Sequence, residues 1–141
     1  MAGFDAAKAE GDRIGLKVFF GFEYCYSGAD LLTYGVGRDW LYAHPECSTV
    51  NVFDYTKMVH EAGGVIVHAH PFREAGYLQE IRVVPQWIDG IESYNGGNAD
   101  NIYNERAKWF AESYGFVQTG GMRQYYFYVA SKEQYDSLKQ E

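Results

Sequence analysis

The segment VIVHAHPFR contains the strongest candidate residues for chemistry. His68 and His70 are two positions apart, so on a β-strand both imidazoles would lie on one face and could bind one metal ion. Pro71 would end the strand directly after His70, and the guanidinium of Arg73 is suited to bidentate contact with phosphate. A strand that stops at Ala69 would leave His70 alone facing the site. The alternative interpretation is a pair of hydrogen-bonded structural histidines.

Carboxylates supply the other candidate ligands. Glu23 follows the apolar segment LKVFF and Gly21, so it is predicted just past the carboxyl end of a strand, where it can bind a cation. The alternative is a solvated loop glutamate. In the segment IDGIESYN, Asp89 and Glu92 would lie on opposite faces of a strand. Glu92 or Asn95, nearer the carboxyl end, is the better candidate there.

The elements that must position these residues follow an alternating pattern. Strand-like and helix-like segments alternate along the chain, which predicts an α/β fold with mostly parallel strands. In such folds functional groups collect at the carboxyl ends of the strands. His60, near the end of a predicted helix, is interpreted as structural. The predicted helices are 4–13, 53–62, 99–114 and 132–140, and the predicted strands are 16–20, 64–69, 88–94, 116–119 and 123–130.

Composition limits the class of protein. A chain of 141 residues is predicted to form one domain, residues 1–141, with a core of ordinary size. Its 12 basic and 19 acidic residues give a net charge of −7, which disfavours nucleic acid and anionic membranes as partners. No apolar run approaches the roughly 20 residues of a membrane span, and no secretory signal is recognised. Cys25 and Cys47 fit no metal or redox spacing, so we expect free thiols in a cytoplasmic protein.

Several segments together resemble one known family. KVFFGFEY, DLLTYGV, GGVIVHAHPFR, DGIESYN and YGFVQTGG, in this order, are similar to the PHP (polymerase and histidinol phosphatase) family of metal-dependent phosphoesterases. The resemblance covers about residues 5–121. It implies a distorted (β/α)7 barrel with divalent metals at the carboxyl ends of its strands, where phosphate esters are hydrolysed.

The resemblance also implies roles for particular residues. Glu23 matches the metal-bridging glutamate of the family's GxE element, and His70 matches the histidine of its AHP element. Asp30 falls where many members have a metal-binding histidine. Arg73 matches an arginine that faces the substrate phosphate. His68 has no fixed counterpart in the family and is kept as an additional candidate ligand.

Two family elements have no match in this sequence. The family opens with a His-x-His element and closes with Gly-Ser-Asp-x-His, whereas here the final glycine pair is followed by Met122-Arg123-Gln124. The expectation is therefore an incomplete barrel with a single weak site for Zn, Mn or Fe. A barrel without its first strand would expose a sheet edge, which favours a homo-oligomer.

Three hypotheses follow for function. The first is a phosphoesterase that acts on a phosphorylated small molecule, completed by a missing segment or partner chain. The second is a non-catalytic scaffold or binding protein that retains at most one metal or phosphate site. The third is an incomplete gene product. The missing elements predict weak or absent turnover by this chain alone.

Overall fold

The computed structural model describes residues 2–26, 28–76 and 83–121 and the backbone of residues 129–130. Six strands form one sheet in chain order. The strands are β1 (Gly21–Tyr26), β2 (Ala29–Tyr34), β3 (Val65–Ala69), β4 (Gly90–Asn95), β5 (Val117–Gly121) and β6 (Val129–Ala130). The helices are α1 (Ala2–Ile14), α2 (Arg38–Ala43), α3 (Val52–Glu61) and α4 (Ile102–Tyr114), with short 3₁₀ turns at Pro45–Ser48 and Pro85–Trp87.

The sheet is mixed. β3, β4 and β5 pair in parallel, as expected for strands separated by a helix or a long connection. β1 pairs with β2, β2 with β3, and β5 with β6 in the antiparallel direction. The expectation of parallel strands is thus confirmed for the centre of the sheet and corrected at its two sides. Within the described residues the sheet is open, because β1 and β6 each pair on one side only.

The predicted strand at residues 16–20 is wrong. The chain enters the sheet only at Gly21, where a side chain would meet the ring of Tyr34 at 2.7 Å. Gly21 is therefore a packing position inside a hairpin rather than a strand terminator. Glu23 consequently lies within β1 and not beyond a strand end. Strand β2 and helix α2 were not predicted.

The remaining elements agree with the sequence pattern within a few residues. Helices α1, α3 and α4 and strands β3, β4 and β5 all occur where they were predicted. Gly115 adopts φ +71 at the end of α4, the left-handed conformation that favours glycine at a helix terminus. Val129 and Ala130 form a strand, whereas the rest of the predicted strand 123–130 and the predicted helix 132–140 lie outside the described residues.

The two faces of the sheet differ in character. α3 and α4 cover one face, here called the helix face, with a core of Leu31, Ile66, Ile91, Tyr55, Val59, Ala107 and Ala111. The opposite face, called the site face, has a small apolar cluster of Leu32, Val67 and Ala69. By strand alternation Glu23, Cys25, Asp30 and Glu92 share the site face. No helix among the described residues is long and apolar enough to cross a membrane.

Candidate metal site

The hairpin β1–β2 brings three ligand groups together. Cys25 pairs with Asp30 across the hairpin, and Glu23 lies two residues before Cys25 on the same face of β1. Potential ligand atoms of these three side chains all lie within 4.8 Å of one another. The Cys25 thiol approaches Oε1 of Glu23 at 3.5 Å. The antiparallel register therefore creates a cluster of two carboxylates and a thiol.

His70, which follows β3, contacts one member of this cluster, Asp30, but does not belong to the group of three mutually close side chains. Its Nε2 lies 3.3 Å from Oδ2 of Asp30. Strand β3 ends at Ala69, and His70 is the only non-glycine with a positive φ among the described residues, at +34. Continued alternation from Ile66 and His68 would have directed His70 to the helix face. The turn at His70 thus directs its imidazole to the site face.

His68 lies apart from the cluster. It is 2% exposed, and its neighbours across the sheet are Leu31 and Ile91 of the helix-face core. Desolvation lowers the pKa of His68 to about 4, so its ring is neutral at physiological pH. Its Nδ1 is buried and has no hydrogen-bond partner among the described residues. The sequence-based alternative of a strand ending at Ala69, with only His70 facing the site, matches this arrangement.

The acidic side chains of the cluster favour the binding of a cation. A hydrogen bond from His70 holds the pKa of the Asp30 carboxyl below its usual value, although burial opposes the shift. Desolvation and the neighbouring carboxylates of Asp30 and Glu23 raise the pKa of the Cys25 thiol to about 12. A cation placed among these groups would reverse that effect, since a coordinated thiol loses its proton. In charge and in ligand type the cluster is suited to a divalent metal.

Glu92 does not belong to the cluster, although it hydrogen-bonds the backbone of His70. Its side chain is buried, and its Oε2 accepts hydrogen bonds from the backbone N–H of His70 at 2.7 Å and from Nδ2 of Asn95 at 2.9 Å. Burial raises the pKa of Glu92, while these hydrogen bonds and the charges of His70 and Arg73 act in the opposite direction. Glu92 and Asn95, singled out from sequence as candidates, thus support the turn that carries His70.

Arg73 follows His70 in the same turn. Its backbone N–H donates to the carbonyl of His70 at 3.0 Å, and its Nε donates to Oδ1 of Asn98 at 2.8 Å. Arg73 also favours the ionised form of the nearby Glu92. Asn98 therefore holds the guanidinium of Arg73 near Glu92, the residue that supports the His70 turn.

Asp89 and His60 form a separate pair. Nε2 of His60 lies 2.9 Å from Oδ2 of Asp89, which also accepts the backbone N–H of Ile66 at 2.8 Å. Asp89 immediately precedes β4, so this pair lies at the amino ends of the parallel strands, opposite the end that carries His70. These contacts match the structural interpretation of His60.

Cys25 is the site residue that sequence analysis did not identify. The spacing between Cys25 and Cys47 fits no known metal motif, so it marks neither cysteine as a ligand. The informative signal is the alternation of Glu23 and Cys25, which share a face only if residues 21–26 are placed in a strand. The misplaced strand at 16–20 concealed it.

Comparison with known proteins supports the fold. No family model matches this chain, and no curated protein sequence matches it either. A provisionally assigned metal-dependent phosphoesterase from Bifidobacterium adolescentis is similar in structure, with a TM-score of 0.56 and 15% identity over 85% of this chain and 72% of that one. A two-domain protein from Bacteroides vulgatus, assigned a PHP-like metal-dependent phosphoesterase, gives a TM-score of 0.60 and 13% identity over 82% of this chain and 34% of that one. The chain shares the fold of these two proteins.

Proposed function

We propose that this chain is a PHP-type metal-dependent phosphoesterase domain with one divalent-metal site and weak turnover of its own. The observation that carries the proposal is the contact of His70 Nε2 with Asp30 at 3.3 Å beside Glu23 and Cys25. These side chains come from β1, β2 and the turn after β3, and they lie on the site face. The shared fold with PHP-like phosphoesterases supports the same assignment.

The donor set fits a transition metal better than a hard cation. Ca²⁺ and Mg²⁺ prefer sites made of oxygen ligands, whereas the cluster combines two carboxylates with a thiol, and the imidazole of His70 contacts one of the carboxylates. Imidazole suits Zn and Fe, carboxylate suits Mn, and a thiolate favours Zn and Fe. We therefore propose Zn, Mn or Fe, with Glu23, Asp30 and His70 as ligands and Cys25 as the fourth donor.

The protein's own groups would bind and orient a phosphate ester. A bound divalent cation would polarise a phosphoryl oxygen and lower the pKa of water. Arg73, held by Asn98, would contact the phosphate and balance its negative charge. Glu92 would hold the backbone of His70, and so the direction of its imidazole, through the 2.7 Å hydrogen bond.

Weak turnover follows from the number of donors. The three clustered donors, with His70 in contact with Asp30, are enough for one cation at most. Two-metal hydrolysis uses a second cation to take charge on the leaving oxygen. The same observation favours the second candidate function, a scaffold that binds a metal and a phosphate without turnover. The two candidates share the metal site and differ only in catalysis.

Metal content tests the part of the proposal that both candidates share. Protein purified without chelator should contain close to one equivalent of Zn, Mn or Fe per chain by elemental analysis, or should take it up on titration. A chain that binds none of these ions at millimolar concentration would refute the metal site. Hydrolysis of phosphate esters by the loaded protein then separates the two candidates.

A further inference from the structure

We propose that Asn98 is a positioning residue for Arg73, held by a buried polar network that also holds the His70 turn. The inference rests on the phosphate-binding role proposed for Arg73. Phosphate affinity then depends on a chain of asparagines that contacts neither the phosphate nor the metal.

The first step is the contact of Asn98 with the guanidinium. Nε of Arg73 donates to Oδ1 of Asn98 at 2.8 Å. An arginine whose Nε is engaged still presents the N–H groups of both terminal nitrogens, which is the edge that binds phosphate in a bidentate manner. The hydrogen bond also restricts the long side chain before the phosphate arrives, and such preorganisation increases affinity. Asn98 can thus affect phosphate binding without touching the ligand.

The second step is the anchoring of Asn98 itself. Its Nδ2 donates to Oδ1 of Asn104 at 2.7 Å, and its backbone N–H donates to the carbonyl of Asn95 at 3.2 Å. The same oxygen of Asn104 accepts the backbone N–H of Asn95 at 2.9 Å. Asn104 is a buried residue on α4. The loop that carries Asn98 is therefore fixed to a helix rather than left to solvent.

The third step links this loop to the metal site. Nδ2 of Asn95 and the backbone N–H of His70 donate to the same oxygen of Glu92, at 2.9 and 2.7 Å. Glu92 is 2% exposed. Buried networks whose members are hydrogen-bonded rigidify their surroundings. One hydrogen-bond network thus holds both His70 and, through Asn98, Arg73.

A direct measurement on the metal-free chain tests the contact. The exchange of the Arg73 Nε–H with water is followed by NMR in the parent, in Asn98→Ala and in Asn51→Ala. Asn51→Ala is the matched control, because it removes the same kind of side-chain amide at the cap of α3. There Oδ1 of Asn51 accepts the backbone N–H of Asp54. Exchange should accelerate about tenfold in Asn98→Ala and stay unchanged in Asn51→Ala. Equal exchange in the parent and in Asn98→Ala would overturn the inference.

A double-mutant cycle tests the consequence for binding. Inorganic phosphate is titrated calorimetrically into Mn²⁺-loaded parent, Asn98→Ala, Arg73→Ala and the double variant. Asn98→Ala should weaken phosphate binding about tenfold while leaving Mn²⁺ affinity unchanged. The double variant should bind no more weakly than Arg73→Ala, because Asn98 acts through Arg73. Additive losses would overturn the positioning role.

The two measurements separate this inference from the proposed function. A parent that binds neither Mn²⁺ nor phosphate would refute the proposed function and with it any role of Asn98 in phosphate binding. The exchange of the Arg73 Nε–H would still decide whether Asn98 holds the guanidinium. Asn51→Ala should keep the parent's phosphate affinity, which shows that a general loss of stability does not produce the effect.

Discussion

The imidazole of His70 faces the carboxylate of Asp30 because the chain turns at His70 itself. Strand β3 stops one residue earlier, and the φ of +34 breaks the alternation that would place His70 with His68. A non-glycine residue in this conformation needs support from its surroundings. The hydrogen bond from His70 N–H to Glu92 supplies that support. The candidate site thus depends on a backbone turn as much as on its ligands.

Removing the imidazole should remove metal binding. His70→Ala deletes the imidazole that contacts Asp30, and leaves the two carboxylates and the thiol of the cluster. We expect the affinity for Zn²⁺ or Mn²⁺ to fall by more than about 100-fold, since even residues that only support a ligand cost 10- to 100-fold. Calorimetric titration measures this directly.

The matched control for this experiment is His60→Ala. His60 is also paired with an aspartate, Asp89, but at the opposite end of the parallel strands. The His60→Ala variant should retain the parent's metal affinity. If His70→Ala binds as tightly as the parent, the site has been assigned to the wrong residues.

Cys25 should be recognisable as a ligand by spectroscopy. Loading the chain with Co²⁺ should produce a sulfur-to-metal charge-transfer absorption in the near ultraviolet, because the coordinated thiol is deprotonated. Cys25→Ser should lose this band and still bind Co²⁺, about tenfold more weakly. Cys47 is buried in the helix-face core, so Cys47→Ala should keep the band. A parent complex without the charge-transfer band would exclude Cys25 from the site.

Local sequence patterns determined much of this fold but not the hairpin at its start. Helix α3 has Asn51 as its cap, and α4 has Gly115 at its end, and both signals act within one turn of chain. Residues 16–26 offer two adjacent strand-like segments, LKVFF and GFEYCY, and only pairing with β2 decides between them. Local propensity does not contain that information.

The residues of the candidate site were likewise predictable only in part. Glu23 and His70 were predicted from their positions at strand ends as well as from the family resemblance, and Asp30 from the resemblance alone. His68 followed from alternation, which holds only while a strand continues, and β3 stops before His70. Cys25 meets Asp30 only through the antiparallel register, which pairs distant parts of the chain. The register and the turn are tertiary features, so the sequence did not reveal their effect on the ligand set.

Acid should destabilise the metal-free chain through His68. Its pKa is lowered from 6.5 to about 4 by burial, so the folded state stays neutral while the unfolded state takes up a proton below pH 6.5. The free energy of unfolding therefore keeps its full value with respect to His68 above pH 6.5, and it decreases as the pH falls toward 4. The loss amounts to about 3 kcal/mol, from a shift of roughly 2.5 pKa units.

Urea denaturation in EDTA at several pH values between 7 and 4.5 measures this effect. The comparison is with His68→Gln, which lacks the titrating imidazole and keeps a polar side chain. The difference in free energy of unfolding between parent and variant should shift by about 2 to 3 kcal/mol against the parent as the pH falls. Parallel profiles would show that His68 is not held in a neutral, desolvated state.

The edge of the sheet should mediate self-association. Among the described strands β1 pairs only with β2, so its outer edge is available for pairing with a second chain. Light scattering should detect dimers or larger species whose population increases with concentration. Tyr26→Lys places a charge on this edge and should move the transition to at least about tenfold higher concentration. A parent that stays monomeric at high concentration would contradict this expectation.

Turnover by this chain alone should be at or near background. With added Mn²⁺ or Zn²⁺, the parent is compared with Glu23→Ala and His70→Ala in hydrolysis of a generic aryl phosphate. One cation leaves the departing oxygen without a second metal, and groups that act as a unit lose most of the rate when part of the set is absent. Phosphate should still bind near Arg73, because a guanidinium attracts it without any chemistry. Robust activity in the parent that both substitutions abolish would contradict this expectation. It would mean that ligands outside the described residues, or from a neighbouring subunit, complete the site.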